Sequence, residues 1–280
     1  MRYYSRVALA IAMGIAVFPS TGTAQHRHPG TGSGGHNRGV TLHVNPRWRE
    51  CSFQLDPALT QGAWRRFARE AGLVAYFRPL QDAKPMGAGT WEVSALQWAT
   101  AIDDSDAAWN DTFVHPDSAH YLIEGSSLSF PGLMVRRGVT EKMDVGAYFT
   151  RSPGANYGFY GGQLQYNLHN DTQREWAAAA RVSFVSMYGP DDLDLRIYGV
   201  DLVASKEFST RWLSVSPYAG VSSFLSSAHE KTTAVSLSDE HVLGAQAMVG
   251  AVVQVSVARI GVEYNTAAVG TRSLKLGVSF

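Results

Sequence analysis

Three things are scarce in this 280-residue chain, and each scarcity closes off a class of protein. Cys51 is the only cysteine, so no internal disulfide can form and the fold must rest on backbone pairing and packing. Net charge is absent, with 24 Lys and Arg balanced by 24 Asp and Glu. That leaves no basic surface of the kind that neutralises nucleic-acid phosphates. Long apolar runs are missing too. No segment after the first 24 residues approaches the roughly 20 consecutive apolar positions of a transmembrane helix, and a mean hydropathy of -0.12 agrees. Charged residues are nonetheless only 17% of the chain, and glycine is abundant at 27 residues.

What is present begins with a targeting segment over residues 1–24. Arg2 and Arg6 supply the positive start, Val7 to Val17 the apolar core, and Gly22-Thr23-Ala24 a small-residue cleavage site before Gln25. Its apolar stretch of about 11 residues is too short to be a membrane anchor. Cys51 does not follow the cleavage site, so a lipid-modified amino terminus is not expected. Residues 25–55 form a leader rich in Gly and His without apolar periodicity. His26, His28 and His36 could hold a transition metal, but a solvated tail that happens to contain histidines is the simpler reading.

Residues 56–89 hold one amphipathic helix and a connector. Asp56 is a good N-cap, Pro57 suits the first helical position, and Gly72 suits the carboxyl end. Leu59, Ala63, Phe67 and Ala71 recur at fourfold spacing, with Arg66 and Glu70 placed as an i, i+4 pair on another face. Such a helix could rest on a leaflet, sit in the periplasm or plug a lumen. Leu73 to Leu80 is an apolar continuation that could also be a strand.

From about Trp91 the period changes to two. Val145, Ala147 and Phe149 alternate with Asp144 and Gly146, and Trp176, Ala178, Ala180, Val182 and Phe184 stand opposite Arg181 and Ser183. Leu193, Leu195 and Ile197 stand opposite Asp194 and Arg196, and beyond Gly199 the apolar phase moves to Val200 and Leu202, as a β-bulge would cause. Ile260, Val262 and Tyr264 oppose Arg259 and Glu263. About ten strands of roughly 9–15 residues result, the length a tilted strand needs to cross a bilayer. A β-sandwich also alternates, but its strands are shorter and its outer face is charged. The expectation is an all-β, closed antiparallel up-and-down transmembrane barrel over residues 90–280, with a short amino-terminal helix before it. Arg181, Asp194, Arg196, Arg259, Glu263 and Lys275 are expected to face the lumen. An even strand count returns both barrel ends to one side, with the two longest connections, Ala101 to Ser127 and His229 to Glu240, on the other. An eleventh strand at Leu73 to Leu80 would break that parity.

The last strand carries the family signal. Leu274, Leu276, Val278 and the terminal Phe280 alternate with Ser273, Lys275, Gly277 and Ser279. Together with the targeting segment, the alternating strands and the turn from Arg137 to Gly146, this resembles bacterial outer-membrane β-barrel proteins over roughly Thr90 to Phe280. The resemblance implies an outer-membrane address after export and contact with outer-membrane lipids. It also implies recognition of Leu274, Leu276, Val278 and Phe280 by the barrel assembly machinery. It says little about activity, because the same scaffold serves as channel, receptor, enzyme and anchor.

Chemistry is sparse. Asp103, Asp104, Asp106 and His115 cluster in the connection from Ala101 to Ser127, with Asp111, Asp117 and His120 nearby. Their spacing could bind a cation or activate a water, yet the Gly and terminal Glu of a calcium loop are missing. Asp-rich surface loops are commonly just solvated. No cofactor is expected and oligomeric state is open. The leading expectation is non-enzymatic: passive passage of small solutes, or an envelope structural and interaction role. An outer-membrane hydrolase with this Asp/His loop as its site is the alternative.

Overall fold

The computed structural model describes residues 52–103, 105–114, 127–151 and 155–280. The targeting segment, most of the leader with its histidines, Asp104, His115, Asp117 and His120 lie outside the described residues.

Ten long strands form the body: β1 Trp91–Ala101, β2 Ser127–Gly138, β3 Met143–Arg151, β4 Gly158–Asp171, β5 Trp176–Tyr188, β6 Leu193–Lys206, β7 Ser214–Glu230, β8 Glu240–Val255, β9 Ala258–Thr266 and β10 Thr271–Ser279. Each pairs antiparallel with its sequence neighbours, and β10 returns to β1, so the sheet closes on itself. At the seam Leu276 lies opposite Ala95 and Val278 opposite Val93. Trp91 and Phe280 then exchange both backbone hydrogen bonds, at 2.8 and 2.9 Å. Closure leaves no unpaired edge, the condition a sheet must meet in lipid, where no water can satisfy a free N–H or C=O.

The period-two pattern puts apolar side chains outward from all ten strands: Val93, Leu133, Phe149, Leu164, Val182, Val200, Val221, Val249, Val262 and Leu276 are exposed. A continuous belt of this size is far beyond the apolar patch a soluble surface tolerates. No helix among the described residues is long and apolar enough to cross a membrane; the strands do the spanning. One end, here called the terminal end, carries Trp91, Phe280 and the short hairpins around 139–142 and 172–175. The opposite loop end carries the connections 102–126, 189–192 and 231–239.

Ahead of β1, residues 61–83 lie inside the barrel. A two-residue strand, Ser52–Phe53, pairs with Phe113–Val114 at the loop end. Helix α1, Gln61–Val74, follows, and then a segment in which every residue from Leu73 to Ala83 is buried. The helix starts later than the sequence suggests. Thr60 is the N-cap, its hydroxyl accepting from Ala63 N, while Asp56 closes a turn by accepting from Ala58 N. Gly72 does not end the helix. It lies within it, where a Cβ would come within 2.6 Å of the Phe224 ring, so glycine lets the helix approach the wall. Leu73 to Leu80 is no strand, which keeps the count at ten.

Strand β6 departs from expectation. Its register against β5 and β7 is continuous through Gly199, with no bulge. The same residues, Leu193, Leu195, Ile197, Asp201, Val203 and Ser205, point inward along its length. The lumen changes chemistry instead of the strand changing phase. At the loop end the inward face meets apolar side chains, so Leu193, Leu195 and Ile197 turn in, and Asp194 and Arg196 face out. A register irregularity does occur elsewhere, between Asn167 and His169 of β4.

Candidate functional site

The occupied lumen is where the buried chemistry gathers, and it has two layers. The loop-end layer is aromatic. Phe53 packs against Phe113 at 4.7 Å and Tyr157 at 4.8 Å between ring centroids, Trp64 stacks on Phe67 at 5.3 Å, and Phe67 meets Trp109 edge-on. Phe130 and Phe159 line the wall beneath at 5.1 Å. These contacts draw on the strand pair at Ser52–Phe53, on α1, and on a short helix α2, Ala107–Asn110. The apolar stripe of α1 thus buries into a dome of aromatic rings, and its arginine face looks out. The i, i+4 pair between Arg66 and Glu70 does not form. Arg66 instead pairs with Asp106 of the α2 cap, and Glu70 accepts from Trp109 Nε1 at 2.5 Å.

Below the dome the carbonyl end of α1 is closed by Arg78, which donates to the carbonyls of Leu73, Val74 and Tyr76 and to Asn265 and Thr271 on the wall. A cation here offsets the negative end of the helix. Tyr76 donates to Asp201 at 2.5 Å, and it fits because β6 has glycine at 199: a Cβ there would stand 2.5 Å from the Tyr76 hydroxyl. Leu80 takes a left-handed backbone, φ 47°, and its carbonyl lies 2.8 Å from where a Cβ on Gly261 would be.

The terminal-end layer is ionic. Lys275 Nζ lies 2.6 Å from Glu92 Oε1 and donates to the Pro79 carbonyl at 2.9 Å, tying wall to inner segment. Glu92 also faces Arg259 at 3.6 Å and Arg136 at 3.8 Å. Arg136 continues to Asp144 at 3.5 Å, and Arg259 to Asp82 at 3.8 Å. The longer separations are charge contacts, beyond hydrogen-bond length. Arg181 donates from Nε to Gln165 at 2.9 Å and from its guanidinium to the carbonyls of Gln81 and Asp82. Glu263 accepts from Tyr218 at 2.7 Å. Lys84 pairs with Glu207 at the exit. Below the dome, buried Arg78, Arg136, Arg181, Arg259 and Lys275 stand against buried Asp82, Glu92, Asp144, Asp201 and Glu263, while a sixth buried carboxylate, Glu240, lies at the loop end beside Arg65. Charges this far from water persist only when paired. Beneath the network opens a polar cavity of about 310 Å³ lined by Gln81, Asp82, Lys84, Glu207, Gln254 and Arg259, among others.

Of the residues singled out from sequence, Arg181, Arg259, Glu263 and Lys275 point into this lumen and are buried. Asp194 does not, pairing with Lys231 at the loop end, and Arg196 is exposed. Leu274, Leu276 and Val278 face outward, and Phe280 is 70% exposed. Glu92, Arg136, Asp144 and Asp201 were missed as site residues, although each sits on the same inward parity as its strand's other polar residues. In the Asp/His loop, Asp103 accepts from the Ser105 hydroxyl and amide, which hold its exposed carboxyl below the usual range. Asp106 caps α2 by accepting from Ala108 N. Among the described residues, no group of three or more His, Cys, Asp or Glu is arranged to hold a metal ion.

No protein-family model and no curated protein matches the chain. Solved structures do match it. The N-terminal β-barrel domain of OprF from Pseudomonas aeruginosa is 12% identical, covering 69% of this chain and 99% of its own, with a TM-score of 0.30. Ail of Yersinia pestis is 13% identical over 69% of this chain and 99% of its own, at 0.27. An outer-membrane channel from Pseudomonas putida F1 is 12% identical over 73% of this chain and 100% of its own, at 0.43. What the chain shares with these outer-membrane barrels is architecture.

Proposed function

We propose that this protein is an integral outer-membrane β-barrel, exported by residues 1–24 and closed at rest by its own residues 61–90. On this reading it serves an envelope structural and interaction role without forming an open solute pore. The observation that carries the reading is the buried inner segment, docked against a charge-matched wall and capped by an aromatic dome. Passive solute passage would require that segment to leave, breaking the Lys275–Pro79 hydrogen bond and the Arg259–Asp82 contact and uncovering the buried charges of the wall. The outward apolar belt contacts outer-membrane lipids, and Leu274, Leu276, Val278 and Phe280 offer the assembly machinery an alternating strand with an aromatic end. Catalysis is not part of the proposal, since Asp103 and Asp106 of the alternative hydrolase site are spent on a turn and a helix cap.

Purified full-length protein in planar bilayers tests the closed state. It is expected to give no steady channel events while migrating as a compact band in unboiled detergent gels. Ohmic openings from protein that shows this band would reject the closed barrel in favour of solute passage.

A further inference from the structure

We propose that the terminal end carries a docking site for an anionic glycerophospholipid, built from outward side chains where β5, β6 and β7 leave the apolar belt. The site rests on the outer-membrane reading above and names one class of lipid that the barrel holds in place.

The outward row of β6 runs through Val200, Leu202 and Ala204 and then ends on Lys206. Trp176, the first residue of β5, lies directly opposite Lys206 in the register. Just past β6, Phe208 pairs with Val215 of β7 and shares the outward face. Lys206 Nζ lies 5.3 Å from the centroid of the Trp176 ring and 5.4 Å from that of Phe208. In the same connection the Arg211 guanidinium stands 4.9 Å from the Trp212 ring. All three rings are exposed, Trp212 by 74%. Aromatic rings at the rim of an apolar belt sit at headgroup depth. A lysine there lays its methylenes on apolar surface and keeps its charge in water.

The charges in this region are sorted by direction. Glu207 pairs with Lys84 of the inner segment, and Glu175 lies 4.0 Å from the same ammonium, so both carboxylates are drawn toward the lumen mouth. Asp171 accepts from the amides of Gln173 and Arg174 and closes its hairpin. Lys206, Arg211 and the exposed Arg174 form no ion pair among the described residues. The hairpin from Val255 to Ala258, at the same end, has no charged side chain, so cations do not simply ring the rim. A glycerophospholipid with a net negative head fits this surface. Its phosphate oxygens accept from Lys206 and Arg211, and its acyl chains lie along the belt at Leu202, Val200 and Val182. A zwitterionic head brings its own ammonium, which the same cations repel. Each Lys or Arg beside anionic headgroups is worth roughly a fivefold enrichment.

The test follows tryptophan fluorescence of the full chain, carrying Trp48→Phe and Trp91→Phe, in phosphatidylcholine vesicles. Trp176 and Trp212 then report the patch, while Trp64, Trp98 and Trp109 stay buried. A fraction of the lipid carries brominated acyl chains, which quench on contact, on either phosphatidylglycerol or phosphatidylcholine. Half of the quenching should be reached at a fraction of brominated phosphatidylglycerol at least roughly fivefold lower than of brominated phosphatidylcholine. Lys206→Gln with Arg211→Gln should bring the two lipids to parity, and Lys206→Arg with Arg211→Lys should keep the preference. Heat-shifted migration verifies each barrel; if the Gln pair does not form one, Lys206→Gln and Arg211→Gln are read singly, each weakening the preference. Equal quenching in the parent chain, or a preference that survives the Gln substitutions, overturns the site and leaves the barrel reading intact. Quenching by neither lipid removes the membrane reading and the site with it.

Discussion

The two halves of the lumen are filled by opposite means. At the loop end Phe53, Trp64, Phe67, Trp109 and Phe113 occupy volume, and their contacts are dispersion and apolar burial. At the terminal end Glu92, Lys275, Arg136, Arg259 and Asp82 occupy a charge pattern, and their contacts are directional and mutually dependent. The first half responds to size and the second to charge at constant size. A single inner segment satisfies both because its composition changes along its length, from the apolar stripe of α1 to Arg78, Gln81 and Asp82.

The widest separation between the halves comes from Glu92→Gln. Shape is nearly unchanged, yet three cations lose their shared carboxylate, and urea unfolding should show a loss of about 3–5 kcal/mol, the cost typical of breaking a buried ion pair. Adding Lys275→Met should recover part of it. In the dome, Phe67→Ala should cost a similar 3–5 kcal/mol, but the milder Phe67→Leu should stay under about 1.5 kcal/mol. If Glu92→Gln proved as mild as Phe67→Leu, the contrast would collapse. Gly199→Val probes the boundary between the layers by driving a side chain into Tyr76. A cost of about 1–3 kcal/mol is expected, with channel noise appearing in bilayers as the segment loosens. The smallest effect belongs to Arg66→Ala, outside both halves. Its exposed pair with Asp106 should be worth about 0.2–1 kcal/mol and should fade with added salt, unlike the buried network.

The barrel itself was readable because strand periodicity is short and insistent. Val145, Ala147 and Phe149, or Leu274, Leu276 and Val278, declare a lipid face in a few residues, and the even count closed Trp91 onto Phe280. The site was only half readable. Lys275, Arg259, Glu263 and Arg181 follow the rule that inward means polar, but that rule fails wherever the lumen is itself apolar. Leu193, Leu195 and Ile197 looked lipid-facing because nothing local says that α1 lies behind them. Gly72 and Gly199 suggest a helix end and a phase change in the sequence, when both mark places where a side chain more than a hundred residues away packs onto bare backbone. The amphipathic pattern of α1 leaves leaflet, periplasm and lumen equally open, and the choice of lumen becomes visible only with the aromatic residues that receive its apolar face.

The account turns on the inner segment lying inside the closed sheet, and one cross-link tests that directly. Ala83 N donates to Ser205 Oγ at 3.1 Å, which sets the two residues side by side, so Ala83→Cys with Ser205→Cys, in a chain carrying Cys51→Ser, is the cross-link expected to form. Oxidation of the membrane-inserted protein should join residue 83 to β6 and leave the heat-shifted band intact. A correctly inserted barrel that forms no such bond under oxidation would show that its lumen is not held by residues 61–90.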